Sequence, residues 1–225
     1  MLNVLVTEIS LQRSCVVPLV GHAHCLYNTR TARFMSASSI HILIGHEKGE
    51  YRAHRVASRY TIPPAFDPSA FTYRPDSKKL WTAAGYDWVI VYTDEPFPPD
   101  VRPLRLASTI PSLGTAVMIG GYPIERPHMM TADPHCQITK ISSDKKLIVH
   151  NCVTHHGDSG GVLLSADDEG LILGVNNLGY NLLVELREQS KEGGVAVSAA
   201  SITEFLGSQV VGNLEGQRMA AIPVR

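Results

Sequence analysis

The chain has 225 residues, 44% of them hydrophobic and 18% charged, with 20 Lys+Arg against 21 Asp+Glu for a formal net charge of −1. That length fits one large domain or two small ones, and the apolar share suits a buried core, which excludes a disordered or fibrous chain. Charge is balanced and never blocked, so no nucleic-acid partner is expected; the longest apolar stretches, such as Cys15–Val20 and Ala116–Ile119, fall far short of the roughly 18–20 residues of a membrane helix, so a soluble chain without membrane insertion is expected.

Met1–Thr7 is apolar but short, lacks the basic start of a secretory signal and runs into Glu8, so it reads as a strand. Helical periodicity is scarce beyond it. Short runs of β-branched, aromatic and leucine residues recur between Gly, Pro, Asn and Asp clusters. They predict strands at Leu2–Thr7, Cys15–Val20, Ile40–Ile44, Tyr51–Val56, Trp88–Tyr92, Ala116–Gly120, Cys136–Ile141, Lys146–His150, Gly161–Leu164, Leu171–Val175 and Val195–Ser198. Ser201–Leu206, with Glu204 in its first turn and Gly207 after it, predicts a short C-terminal helix.

Between Thr93 and Leu113 the sequence carries Pro96, Pro98, Pro99, Pro103 and Pro111, and proline is excluded from central strands. This is the expected boundary between two all-β halves of about a hundred residues each, which suggests two packed β-barrels. The expected division is residues 1–105, residues 106–207 and a tail at 208–225. Four cysteines, Cys15, Cys25, Cys136 and Cys152, are too few for a disulfide scaffold and form no C-x-x-C pair, so they leave the redox compartment open.

The most informative residues are Gly157-Asp158-Ser159-Gly160-Gly161, just before the strand-like Val162-Leu163-Leu164. Glycine permits backbone angles and close approaches that other residues resist, so a serine between glycines can sit on a tight turn where N–H groups converge. The N–H groups of Gly157 and Ser159 are candidate oxyanion donors, worth roughly 2.7–4 kcal/mol each. A serine hydroxyl is a weak nucleophile and needs a base, and the base needs an orienting carboxylate. Candidates for both occur upstream, in Gly21-His22-Ala23-His24-Cys25 and in Gly85-Tyr86-Asp87-Trp88.

The order His24, Asp87, Ser159 in these contexts resembles the trypsin/chymotrypsin-like serine proteases, especially their bacterial, glutamyl-endopeptidase-like branch. The resemblance extends through Gly120-Gly121-Tyr122-Pro123, Cys136-Gln137-Ile138, Leu173-Gly174-Val175 and Gly194-Val195-Ala196-Val197. It implies two six-stranded antiparallel β-barrels and a serine endopeptidase acting on polypeptides. Ser159 would be nucleophile, His24 base and Asp87 the group that fixes the imidazole tautomer, with no metal or other cofactor. It also implies a substrate pocket formed by Val153, Thr154, Asn177, Leu178, Gly179 and Gly194. Val153 stands where trypsin-type relatives carry an aspartate, which disfavours a Lys/Arg preference. Thr154 matches acid-specific relatives, but Asn176 stands where those carry a histidine.

The resemblance further implies a Cys136–Cys152 disulfide, with Cys15–Cys25 as a second pair, and hence a secreted or periplasmic location. It leaves oligomeric state open. Three departures stand out. Two histidines, His22 and His24, compete for the base position. Only 23 residues precede His24, so the N-terminal barrel is expected to be incomplete. Asp158 lacks the freed N-terminal amine that pairs with it in trypsin-type zymogens, and a buried unpaired charge is costly. Two rival readings are a catalytically inactive protease-fold binding protein and a zinc site drawn from His22, His24, Cys25, Cys136, Cys152, His155 and His156. That set matches no standard zinc spacing.

Overall fold

The computed structural model describes residues 5–8, 19–71, 77–179 and 193–208. In chain order the first half supplies β1 (Leu5–Glu8), β2 (Leu19–Gly21), the pair β3 (Tyr27–Asn28) and β4 (Arg33–Phe34), the hairpin β5 (His41–Ile44) and β6 (Ala53–Val56), β7 (Arg59–Thr61), the helix α1 (Ser77–Ala84) and β8 (Val89–Tyr92). The second half supplies β9 (Leu104–Leu106), β10 (Ala116–Gly121), β11 (Thr131–Ile141), β12 (Leu147–His150), β13 (Val162–Ser165), β14 (Leu171–Gly179) and β15 (Gly194–Ser198), and ends in a helix, α2, at residues 199–208.

The last six strands pair in the order β13-β10-β11-β12-β15-β14, and β14 pairs back onto β13, so they close an antiparallel barrel. The first half is less regular. There β1, β2, β8 and β7 form a sheet, while β3–β4 and β5–β6 are separate two-stranded units. Among the described residues no pairing closes these strands into a second barrel. The sheet instead continues into the closed barrel through β9, which runs parallel to both β1 and β14.

Three apolar clusters explain the patterning. Val117, Ile119, Ile138, Ile148, Leu163 and Ile172 fill the closed barrel. Leu19, Leu26, Ile42, Val89 and Val91 fill the first half. A third cluster, with Val20, Trp88, Ile90, Leu147, Val149, Val175 and Ile202, lies between them. Successive side chains of a strand point to opposite faces. On β8, Ile90 faces the middle cluster while Val89 and Val91 face the first; on β12, Ile148 faces the barrel while Leu147 and Val149 face the middle. Burial on both faces is why these strands read as unbroken apolar runs.

Most strands fall where the sequence predicts them, with shifted ends. Residues 1–4, and 15–18 of the predicted Cys15–Val20 strand, lie outside the described residues, as does 209–225 of the tail. The helix α1 is not among the predicted elements: Leu80, Ala83 and Ala84 are buried, but two turns are too few to display a period. Also unpredicted are β3, β4, β7 and β9. Strand β11 begins five residues before the predicted Cys136 and contains Pro134. Its partners slip there, Cys136 facing Val117 and Asp133 facing Ile119, so the proline sits in a bulge where its missing N–H breaks no ladder. The C-terminal helix is longer than Ser201–Leu206 and begins with buried Ala199 and Ala200.

Cys136 and Cys152 form a disulfide that links β11 to the segment after β12. Cys25 is a free thiol, against the expected Cys15–Cys25 bridge; Cys15 itself lies outside the described residues.

Candidate active site

Strand β2 ends at Gly21, and the chain then turns through a 3-10 segment at His24–Leu26 with Ala23 in the helical region. This turn brings His22 and His24 onto one carboxylate. Asp87 follows Gly85, which ends α1, and precedes β8; its N–H donates to the carbonyl of Ala84 at 3.2 Å. The His24 backbone N–H donates to Asp87 Oδ1 at 2.8 Å, and His24 Nδ1 is hydrogen-bonded to Oδ2. His22 Nδ1 donates to the backbone carbonyl of Asp87 and lies 3.6 Å from Oδ2. Every polar group of Asp87 is thus engaged, and its side chain is fully buried.

A buried charge persists only when it is paired and hydrogen-bonded. Burial works to raise the Asp87 pKa, but the charges of His24 and His22 and the His24 hydrogen bonds hold it below the usual carboxylate range. Burial works to lower the His24 pKa, but the Asp87 charge and hydrogen bond outweigh it and hold the imidazole well above its usual value. His22 goes the other way: burial dominates and keeps its pKa low, so the ring is neutral. Phe71 stacks on the His24 ring at 5.1 Å between centroids, on a side chain that is 23% exposed.

The serine turn is tied to β14. Gly160 N–H donates to Asn176 O at 2.9 Å and Asn176 N–H to Gly161 O at 2.7 Å. Gly157 has φ +100°, and a Cβ there would lie 2.7 Å from Ile124 N and 2.8 Å from Tyr122 O, so conformation and space both demand glycine. The Ser159 hydroxyl donates to the carbonyl of Asn177 at 3.2 Å. Asn177 in turn sends its side-chain Nδ2 to the carbonyl of Ala84 at 3.2 Å, the same oxygen that receives the Asp87 N–H. Contact by contact, Ser159, Asn177, Ala84, Asp87 and His24 form one continuous chain across the two halves.

Asp158 is buried, and its Oδ2 accepts from His155 N–H at 2.7 Å. Oδ1 packs against Gly121, where a Cβ would come within 2.5 Å of it, and has no hydrogen-bond partner among the described residues. Burial pushes the Asp158 pKa up.

Of the expected pocket residues, Val153 is exposed, with its N–H on Asp133 Oδ2 at 2.9 Å, and Thr154 Oγ1 donates to the Gly193 carbonyl at 2.9 Å. Leu178 and Gly179 end β14, paired with Val195 and Gly194. Gly194 lies against His150 and Asn176; a Cβ would meet both at 2.9 Å. The Asn177 side chain is buried, with its Nδ2 donating to the Ala84 carbonyl. Sequence reasoning missed His150, which is buried at the end of β12 with Nε2 3.2 Å from Asn176 Oδ1; burial lowers its pKa to about 4. A histidine closing an apolar strand gave no signal of that role.

Among the described residues, His22, His24 and Asp87 are also the group able to present three metal ligands, but the Nδ1 atoms of both histidines are engaged with Asp87, His22 with its carbonyl and His24 with its carboxylate. The zinc set is reduced further by the disulfide, which removes Cys136 and Cys152 as thiolate ligands.

No family model and no curated protein sequence matches the chain. Solved structures do. A Glu endopeptidase structure superposes with a TM-score of 0.63 at 17% identity, covering 92% of this chain and 89% of that one. Kallikrein-related peptidase 10 superposes with a TM-score of 0.57 at 13% identity, covering 87% and 85%. At such identities the likeness is one of architecture, and with the closed barrel and the short C-terminal helix it establishes that this chain has the trypsin/chymotrypsin-like serine protease fold.

Proposed function

We propose that the chain is a serine endopeptidase that hydrolyses polypeptides. In this reading Ser159 attacks the scissile carbonyl, and His24 Nε2 takes the hydroxyl proton and returns it to the leaving amine. Asp87 holds the imidazole with Nδ1 protonated and stabilises its cation. Gly157 and Ser159 N–H groups receive the developing oxyanion, an acyl-enzyme forms on Ser159, and water releases it. The two halves, residues 1–105 and 106–207, would carry the His24/Asp87 pair and the nucleophile respectively. Val153, Thr154, Asn177, Leu178, Gly179 and Gly194 would shape the pocket.

The observation that carries this reading is the fully buried Asp87 carboxylate gripping His24 through both the ring and the main chain, with Ser159 connected to the same Ala84 carbonyl through Asn177. A secreted or periplasmic location belongs to the same proposal, since the Cys136–Cys152 disulfide suits an oxidising compartment. A second reading is a catalytically inactive protease-fold protein that binds polypeptides. It is favoured by Cys25 Sγ, which lies 3.5 Å from His24 Nε2, the atom that must receive the serine proton.

Covalent labelling by a fluorophosphonate at neutral pH separates the two. Labelling of the folded chain that vanishes in both Ser159→Ala and His24→Ala supports the endopeptidase; a folded chain that does not label supports the binding protein.

A further inference from the structure

His22 is fully buried, yet no step of the proposed reaction uses it. Buried polar groups are normally paired, and each that is not calls for a reason. Its Nδ1 is spent on the Asp87 main-chain carbonyl, while its Nε2 has no hydrogen-bond partner of normal geometry among the described residues. Its face packs against the His24 ring, 5.4 Å between centroids and 22° from parallel. One imidazole thus touches both the carboxylate residue and the proposed base.

We propose that His22 is a positioning residue for the His24–Asp87 pair, clamping the Asp87 main chain through its Nδ1–H while its ring face holds the His24 imidazole in plane. The proposal rests on the endopeptidase reading. Asp87 has two soft degrees of freedom that would spoil its grip on His24: rotation of its peptide and tilt of its carboxylate. The His24 contacts fix the carboxylate, and the His22 contact fixes the peptide behind it. Neutrality matters as much as geometry. A charged ring 3.6 Å from Oδ2 would compete with His24 for the same carboxylate, whereas burial keeps His22 uncharged and leaves Asp87 to the base.

A space-filling histidine and a positioning one respond differently to two variants. His22→Phe keeps the ring and loses the donor, and His22→Asn restores an N–H near the Nδ1 position. The maximal fluorophosphonate labelling rate should fall roughly 10–100-fold in His22→Phe with little change in the half-saturating probe concentration, because misplacement near the reacting atoms costs about that much. His22→Asn should recover it to within about threefold of wild type. In parallel, the imidazole titration of His24, followed by NMR in protein carrying Ser159→Ala, should fall by about one pH unit in His22→Phe as the Asp87 contact loosens.

Wild-type labelling with unchanged rate and unchanged His24 titration in folded His22→Phe overturns the inference and leaves the endopeptidase reading standing. A wild type that does not label, together with a His24 titration that still falls in His22→Phe, overturns the reading and leaves the clamp standing. Should His22→Phe fail to fold, His22→Asn decides: a His24 titration like that of wild type supports the clamp, and one lowered by about a unit overturns it.

Discussion

Asp87 and Asn177 share one acceptor: the carbonyl of Ala84 receives the Asp87 N–H and the Asn177 Nδ2, each at 3.2 Å. The first donor belongs to the half that holds the carboxylate and the second to the strand whose backbone receives the Ser159 hydroxyl. Asn177→Leu should therefore act twice. It should cost about 1–3 kcal/mol in urea unfolding, the penalty for losing a buried hydrogen bond, and it should slow labelling of Ser159 more than that loss of stability explains. An unchanged labelling rate in a folded Asn177→Leu would show that the shared oxygen has no part in alignment.

Asp87→Asn keeps the size of the side chain but turns one carboxylate oxygen into a donor facing His24 Nδ1, which selects the wrong tautomer. The labelling rate at neutral pH should drop roughly 10³–10⁴-fold while the fold is retained. In wild type the rate should rise with pH through a midpoint above 6.5, since His24 must be neutral to accept a proton and Asp87 holds its pKa up. A wild-type midpoint at or below 6.5 would contradict the tight pair.

Gly157→Ala and Gly114→Ala make a matched test of the oxyanion turn. Both glycines have positive φ, +100° and +79°, but only at Gly157 would the added Cβ strike backbone, whereas Gly114 faces open space. Each should pay the conformational penalty of about 1 kcal/mol or more, and only Gly157→Ala should cut labelling, by about 10²–10³-fold. Equal labelling in the two variants would remove Gly157 from the donor role.

His150 makes stability depend on pH. Its folded pKa of about 4 lies below the 6.5 of an exposed imidazole, so between those values the unfolded chain binds more protons than the folded one. Its contribution is complete above pH 6.5 and is lost as pH falls toward 4, about 3 kcal/mol in all. Urea unfolding of wild type and His150→Gln at pH 7 and pH 4.5 should show a smaller pH difference in the variant; identical differences would mean that the imidazole is solvated.

The two kinds of cysteine should separate chemically. Iodoacetamide should modify Cys25 without reductant and slow labelling of Ser159, because Sγ lies 3.5 Å from His24 Nε2. Reduction of Cys136–Cys152, which closes a loop of 16 residues, should cost about 3 kcal/mol. Wild-type labelling after complete alkylation of Cys25 would place the base nitrogen clear of that thiol.

What could be read from the sequence followed the range of the interactions. The serine turn is legible because its glycines answer to local angles and close approach, and the double-faced strands β8 and β12 because burial on both sides leaves unbroken apolar runs. The role of Asn177 is not, since it depends on a partner 93 residues away; as a residue it reads equally well as a pocket wall. Strands β3, β4, β7 and β9 have only two or three residues and exist through their partners rather than their own composition. His22 is visible as a rival for the base position, but only the turn after Gly21 decides that one ring takes the carboxylate and the other the carbonyl behind it.

The parallel placement of β9 between β1 and β14 sets an order of assembly. Thr7 and Glu8 pair with Leu104 and Arg105, and Arg105 and Leu106 pair with Leu171 and Ile172, so the seam joins residues from near the start, the middle and the last third of the chain. Such sequence-distant pairings are slow to form, because loop-closure entropy is lost before the contacts repay it. On a ribosome the His24–Asp87 half can gather its own sheet early, with β9 covering β1, but the outer edge of β9 stays open until β14 emerges. During that interval an unpaired edge is exposed to other chains, which makes nascent-chain association, rather than loss of core packing, the characteristic hazard of this topology.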